Sequence, residues 1–207
     1  MAGIGVRLNR IFEKNTLTTN LVGFFYSTVV TVAPMFVIII NLILMEYLLD
    51  FASVGYVTRE LFSCTILYTF IFSLLTASPF NAVLSRYMSD VIYEERYQDI
   101  LPCYHIGMLL NIGLSCLLGI PFCLWEHFVG KVPTAYVFCG FCGYISLVLV
   151  FYSMIYLSIC KDYQRISQYF FFGMLVAFVL ALILHFILKW ETTWSMLFSL
   201  TIGFFVT

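Results

Sequence analysis

An all-α integral membrane protein of about six transmembrane helices is the fold class that this sequence predicts, and three observations carry the prediction. Of the 207 residues, 62% are hydrophobic and only 10% are charged, against about 25% charged in soluble domains. Apolar runs able to cross the hydrocarbon core, which takes about 20 residues of helix, recur along the chain. Lysines and arginines crowd into alternate connecting segments, as they do when successive loops lie on opposite sides of a membrane. With a net charge of -1 and no long basic run, nucleic acid is excluded as a partner and membrane lipid is expected instead.

The elements follow in order. In residues 1–20, Ile4, Leu8, Ile11 and Phe12 fall at helical spacing while Arg7, Arg10 and Lys14 occupy the rest of the turn. That pattern predicts an amphipathic basic helix lying on the membrane surface. N-myristoylation is excluded because Ala2 stands where the signal needs glycine, and the apolar run that follows is too long for a signal-peptide core. The transmembrane bundle is expected over 21–207. Its first helix spans 21–49, with Pro34 near the middle predicting a kink. Further helices are expected at 61–83, 103–124, 135–160 and 166–188. A sixth begins at Trp194 and reaches residue 207 after about 14 residues, short of a span, so it reads as incomplete and the chain as the first bundle of a larger protein.

The segment between the second and third runs has its own periodicity. Leu84, Tyr87, Met88, Val91 and Ile92 follow i, i+3, i+4, i+7, i+8, with Asp90, Glu94, Glu95 and Arg96 elsewhere. A separate amphipathic helix over about 84–98 is expected from this, and Arg86 and Asp90, four apart, can pair across one turn. The N-terminal segment, this loop and the one at 161–165 hold seven of the ten basic side chains. Those segments are therefore cytoplasmic, with the N-terminus, and Trp125, Trp190 and Trp194 fall at helix ends on the outer side, where an interfacial belt places tryptophan.

Polar side chains inside apolar runs are the candidates for function, because an unpartnered polar group in hydrocarbon is costly. Ser27, Thr31, Pro34 and Asn41 share one stripe of the first helix. Thr65, Thr69, Ser73 and Thr76 share one stripe of the second, and Tyr104, Asn111 and Ser115 align on the third. From these, Ser27, Thr31, Pro34, Asn41, Thr69, Thr76 and Asn111 are the candidates for a substrate path, since such faces suit a water-accessible cavity between helices. The same stripes also suit ordinary helix packing, as do the small-residue pairs Ser115/Gly119 and Cys139/Gly143. Glu46 and His185, near the outer ends of the first and fifth helices, are candidates for proton coupling, or simply reach the wet interface.

Catalytic signatures are missing. The sequence has no H-E-x-x-H, G-x-S-x-G, Walker A or G-x-G-x-x-G, and no intramembrane carboxylate pair for acid–base work, so an enzyme is not expected. Cys139 and Cys142 form a C-x-x-C without a second pair or a nearby histidine. They read as small apolar side chains, and neither a metal site nor a cofactor is expected.

The opening MAGIGVRLNRIFEKNTLTTN followed by an apolar helix with a mid-helix proline, together with LLTASPFNAVLSRYMSD at 74–90, resembles the PelG family of exopolysaccharide exporters. Arg86, Tyr87 and Asp90 support the likeness as a cytoplasmic motif. Ala33 departs from it, standing where the family often has glycine before the proline. The resemblance implies a flippase-like fold of two facing bundles of about six helices, of which this chain holds the first, in a bacterial inner membrane. It also implies alternating-access export of a hexosamine-containing polysaccharide, beside a cytoplasmic glycosyltransferase and membrane partners that sense cyclic-di-GMP. The alternative is a membrane scaffold for polysaccharide synthesis that does not itself transport.

Overall fold

The computed structural model describes residues 36–159 and 163–207. The surface helix expected over 1–20, the first part of the 21–49 helix and the candidates Ser27, Thr31 and Pro34 lie outside the described residues.

Six helices are described, labelled in chain order: α1 (Phe36–Leu48), α2 (Tyr56–Tyr93), α3 (Ile100–Phe128), α4 (Thr134–Ile159), α5 (Tyr163–Leu182) and α6 (Thr192–Val206). A π-helical turn, Ile183–Ile187, extends α5. By length and composition α2, α3, α4 and the stretch Arg165–Ile187 can each cross a membrane, and α1 and α6 are shorter apolar helices. No strand occurs among the described residues. The protein is an all-α membrane protein.

The main departure from expectation is in α2. Its 38 residues run unbroken through Pro79 to Tyr93, so the amphipathic helix expected over 84–98 is the far end of the second membrane helix. The reason is periodicity. Ser73, Ala77, Leu84, Met88 and Val91 are all buried, one stripe that continues across residue 83 although the outward face changes from apolar to charged. The helix ends where Glu95 takes a left-handed conformation, φ 58°. Arg96 N–H then donates to Val91 C=O at 3.0 Å and Glu95 N–H to Ile92 C=O at 3.2 Å, a Schellman closure with glutamate in the position that favours glycine. Arg86 and Asp90 are exposed and not paired with each other. Arg96 takes the ion pairs instead, with Glu94 and Asp99, and the Glu94 hydrogen bond holds its guanidinium above its ordinary pKa.

The central helix is α4, which packs against α2, α3 and α6, while α6 also packs along α5. Lipid-facing surfaces of α2 and α3 carry exposed large apolar side chains such as Leu67, Leu75, Leu109 and Leu117, as expected where hydrocarbon is the solvent. The tightest crossing joins α5 and α6. A Cβ added at Gly203 would stand 2.6 Å from Ala177 Cβ and 2.9 Å from Gly173 C=O, and one at Gly173 would stand 2.7 Å from Gly203 C=O. Small residues four apart on facing helices allow that approach, which in lipid replaces the missing hydrophobic drive with close packing.

Near the Tyr93 end of α2, aromatic packing takes over. Tyr152 of α4, 1% exposed, stacks on Tyr104 of α3 with ring centroids 5.4 Å apart and packs against Leu84 and Met88 of α2. Its hydroxyl donates to Tyr104 C=O at 3.2 Å. Tyr104 Oη lies 2.7 Å from Ser153 Oγ. Gly107 faces this cluster, and any side chain there would collide with the Tyr152 hydroxyl.

Candidate functional site

α2 and α3 are joined by a short connection at the Tyr93 end, and both pack against α4. Between the three, near the turn that links Phe128 to Thr134, lies a cavity of about 300 Å³, at the small end of the range typical of ligand pockets. The spacing of α2 places Thr65, Thr69 and Thr76 on the face that lines it. Thr65 donates its hydroxyl proton to Leu61 C=O at 2.7 Å, so its oxygen presents lone pairs to the space. α4 contributes Tyr136, Gly140 and Tyr144, again four residues apart, and α3 contributes Gly119, Phe122, Cys123 and Glu126.

The floor is a buried hydrogen bond, Thr76 Oγ1 to Tyr144 Oη at 2.8 Å, which ties α2 to α4. Gly119 makes room beside it, since a Cβ there would stand 2.6 Å from the Phe141 ring. One wall is aromatic: Phe122 of α3 meets Tyr68 and Phe72 of α2 at centroid distances of 6.4 and 5.7 Å. Tyr136 is 4% exposed and packs edge-on against Trp194 of α6 at 5.5 Å. Its hydroxyl is buried beside that of Thr65, without a hydrogen bond of ordinary geometry. Glu126 is half-buried and carries the one carboxyl group among the described lining residues.

The floor bond gives a direct test of local stability. Thr76→Val is expected to lower unfolding stability in detergent by about 0.5–1.5 kcal/mol, the net worth of one hydrogen bond. In a double-mutant cycle with Tyr144→Phe, both single variants should cost the same and the double variant little more than either.

Packing divides the candidates read from sequence. Thr69 and Thr76 reach the cavity. Asn111, fully buried, lies two turns along α3 from Gly119 and donates from Nδ2 to Gly107 C=O of its own helix at 3.1 Å, while Ser115 Oγ donates to Asn111 C=O at 2.7 Å. Its Oδ1 has no partner. Asn41 is in a different seam. Its Nδ2 donates to Met174 C=O of α5 at 2.7 Å, tying α1 to α5. Glu46 is exposed on α1, whereas His185 is half-buried in the π-helical turn with an unpartnered Nδ1. Among the described residues no hydrogen bond or ion pair joins those two. Arg86, Tyr87 and Asp90 sit together on the exposed side of the far end of α2.

Sequence reasoning missed the aromatic wall, Tyr136, Tyr144 and Glu126. The four-residue spacings Tyr68/Phe72 and Tyr136/Gly140/Tyr144 were the available signal, because they put rings on the same helix faces as the threonines. Cys139 ties α4 to α6 through Thr201, whose Oγ1 lies 3.6 Å from Cys139 Sγ and 3.3 Å from Cys139 C=O, and the described cysteines are free. No cluster of three or more potential metal ligands occurs among the described residues.

No curated protein and no solved structure matches the chain. A family does: the PelG model, described as "Putative exopolysaccharide Exporter (EPS-E)", matches residues 1–207. Four helices long and apolar enough to cross a membrane are in keeping with that description, and with the match running over every residue the chain belongs to the PelG family of exopolysaccharide exporters.

Proposed function

We propose that these helices form one bundle of an exporter that moves a hexosamine-containing polysaccharide across a bacterial inner membrane by alternating access, facing a second bundle of similar size. The distribution of basic residues puts the N-terminus and the Tyr93 end of α2 in the cytoplasm, so the cavity opens on the outer half of the bundle. The single observation that carries the reading is this cavity: aromatic faces, threonine hydroxyls and one carboxylate supply the stacking surfaces and hydrogen-bond partners that a sugar unit needs. Asn111, below the floor with a free acceptor, extends the polar line toward the cytoplasm. Arg86, Tyr87 and Asp90 form the cytoplasmic face toward a glycosyltransferase, with membrane partners that sense cyclic-di-GMP controlling the assembly.

The test is to fill the space. Thr69→Trp, introduced into the complete exporter in a deletion strain, is expected to lower secreted polysaccharide about tenfold or more, the effect of about 1.4 kcal/mol or more, with normal protein in the membrane. Full export would remove the cavity from the path and favour the scaffold.

A further inference from the structure

A second space lies on the other side of α4, between it and α6. This groove, of about 500 Å³, is lined by Phe138 and Cys142 of α4 and by Trp194, Phe198 and Thr201 of α6, and it begins at Trp190 and Glu191 in the turn that leads into α6. It closes at the Thr201 end because Gly143 lets the two helices meet there: a Cβ on Gly143 would stand 3.0 Å from Thr201 Oγ1. Its aromatic side chains are braced by others, Trp194 edge-on against Tyr136 at 5.5 Å and Trp190 against Phe198 at 5.8 Å. The polar atoms of the floor are spent on one another. Thr201 Oγ1 lies 2.9 Å from Leu197 C=O and 3.3 Å from Cys139 C=O, and Cys139 Sγ lies 3.6 Å from the same oxygen. A floor so engaged leaves water or a sugar hydroxyl without the polar partners it needs. The filling that recovers the lost dispersion contacts of these walls is hydrocarbon.

We propose that the groove holds one acyl chain of a diacyl phospholipid whose phosphate lies against Lys189. Size decides between a lipid tail and another helix. From Trp194 to Thr201 α6 rises about 10 Å, so the volume spread over that length has a cross-section of about 50 Å², well below that of a helix about 10–12 Å across. Close helix contacts in membranes are made by small residues, whereas the rim here is Phe138, Trp190 and Phe198, all exposed. Trp190 and Trp194 set the mouth at the level where indole rings lie among headgroups. Lys189, exposed in the same turn with φ 52°, brings an ammonium to that level for a phosphate. The site is independent of the export reading and holds whichever leaflet this end of the bundle meets. Its consequence is a lipid that stays with the protein instead of exchanging like bulk lipid.

The test reads the groove through its own tryptophans. The chain has three, so Trp125→Phe leaves Trp190 and Trp194 as the only indoles. The full chain carrying that change, in dodecyl maltoside, is titrated with dibromostearoyl phosphatidylglycerol, whose bromines quench indole fluorescence on contact. Quenching is expected to saturate near one lipid per chain. The control, Trp190→Phe with Trp194→Phe, leaves Trp125, exposed on α3, and should quench only in proportion to the lipid added. Lys189→Gln should raise the lipid needed for half-saturation about fivefold. Dibromostearoyl diacylglycerol, which lacks the phosphate, should bind the parent and Lys189→Gln equally and weakly. Cys142→Phe, which fills the groove, should lose the saturable phase with thermal unfolding unchanged. Quenching of Trp190 and Trp194 that never saturates, a half-saturation point unmoved by Lys189→Gln, or a saturable phase that survives Cys142→Phe overturns the proposal. Absence of quenching at these two tryptophans overturns it as well, and means that protein covers the groove, a second copy of this chain included.

Discussion

Gly203→Leu is expected to leave little folded protein in the membrane. The space a side chain would need at this position is already occupied by Ala177 Cβ and by the backbone oxygen of Gly173. Backbone cannot rotate aside as a long side chain can, so α5 and α6 would have to part. Overpacking a tight site costs about 1–3 kcal/mol and sometimes more, and here the loss extends to every contact along the crossing, including Met174, Phe170 and Phe204 in the main core. A matched control exists within the same chain. Gly113 on α3 has nothing within 4 Å of the position its Cβ would take, so Gly113→Leu should accumulate and melt like the parent. Equal yields for the two variants, measured by membrane fractionation and detergent unfolding, would show that the α5–α6 crossing is not as close as described.

Tyr152→Ala should be the most destabilising truncation at the cytoplasmic half of the bundle. The ring is 1% exposed, stacked on Tyr104, and wedged against Leu84 and Met88, so removing it deletes buried area and leaves a void, worth about 3–5 kcal/mol for a large aromatic. Tyr152→Phe separates the two parts of its role. It keeps the ring and loses only the 3.2 Å bond to Tyr104 C=O, for which about 0.5–1.5 kcal/mol is expected. A loss in Tyr152→Phe as large as in Tyr152→Ala would mean that the hydroxyl, rather than the packing of the ring, secures this end of α3. Unfolding followed by circular dichroism in detergent distinguishes the cases.

The helices were legible in the sequence because lipid imposes one rule, a long apolar run, that needs no tertiary information. The boundary at residue 83 was misread for the same reason. Charge begins at Arg86 on the outward face, yet the inward stripe from Ala77 to Val91 carries on, so a change in outward polarity did not coincide with the end of the helix. The helix stop at Glu95 carries no glycine to announce it. At the candidate site, the threonine face of α2 followed from spacing alone, since a helix fixes which of its own residues are neighbours. Which helix stands opposite does not follow from spacing. Asn41 and Asn111 look alike as sequence, yet one reaches the backbone of α5 and the other folds back on its own turn. The Gly173/Ala177 and Gly203/Thr207 pairs form the closest crossing, whereas Ser115/Gly119 and Cys139/Gly143 were the small-residue pairs that spacing had brought forward.

The unbroken length of α2 has a mechanical consequence. At about 1.5 Å per residue its 38 residues reach well past a hydrocarbon layer of about 30 Å, so one stiff rod connects the floor of the cavity to the exposed tip at Tyr93. Pro79 removes the N–H that would bond to the Leu75 carbonyl, which makes that turn the softest joint along the rod. A force applied at the tip would act on that joint first, one turn from the Thr76–Tyr144 tie.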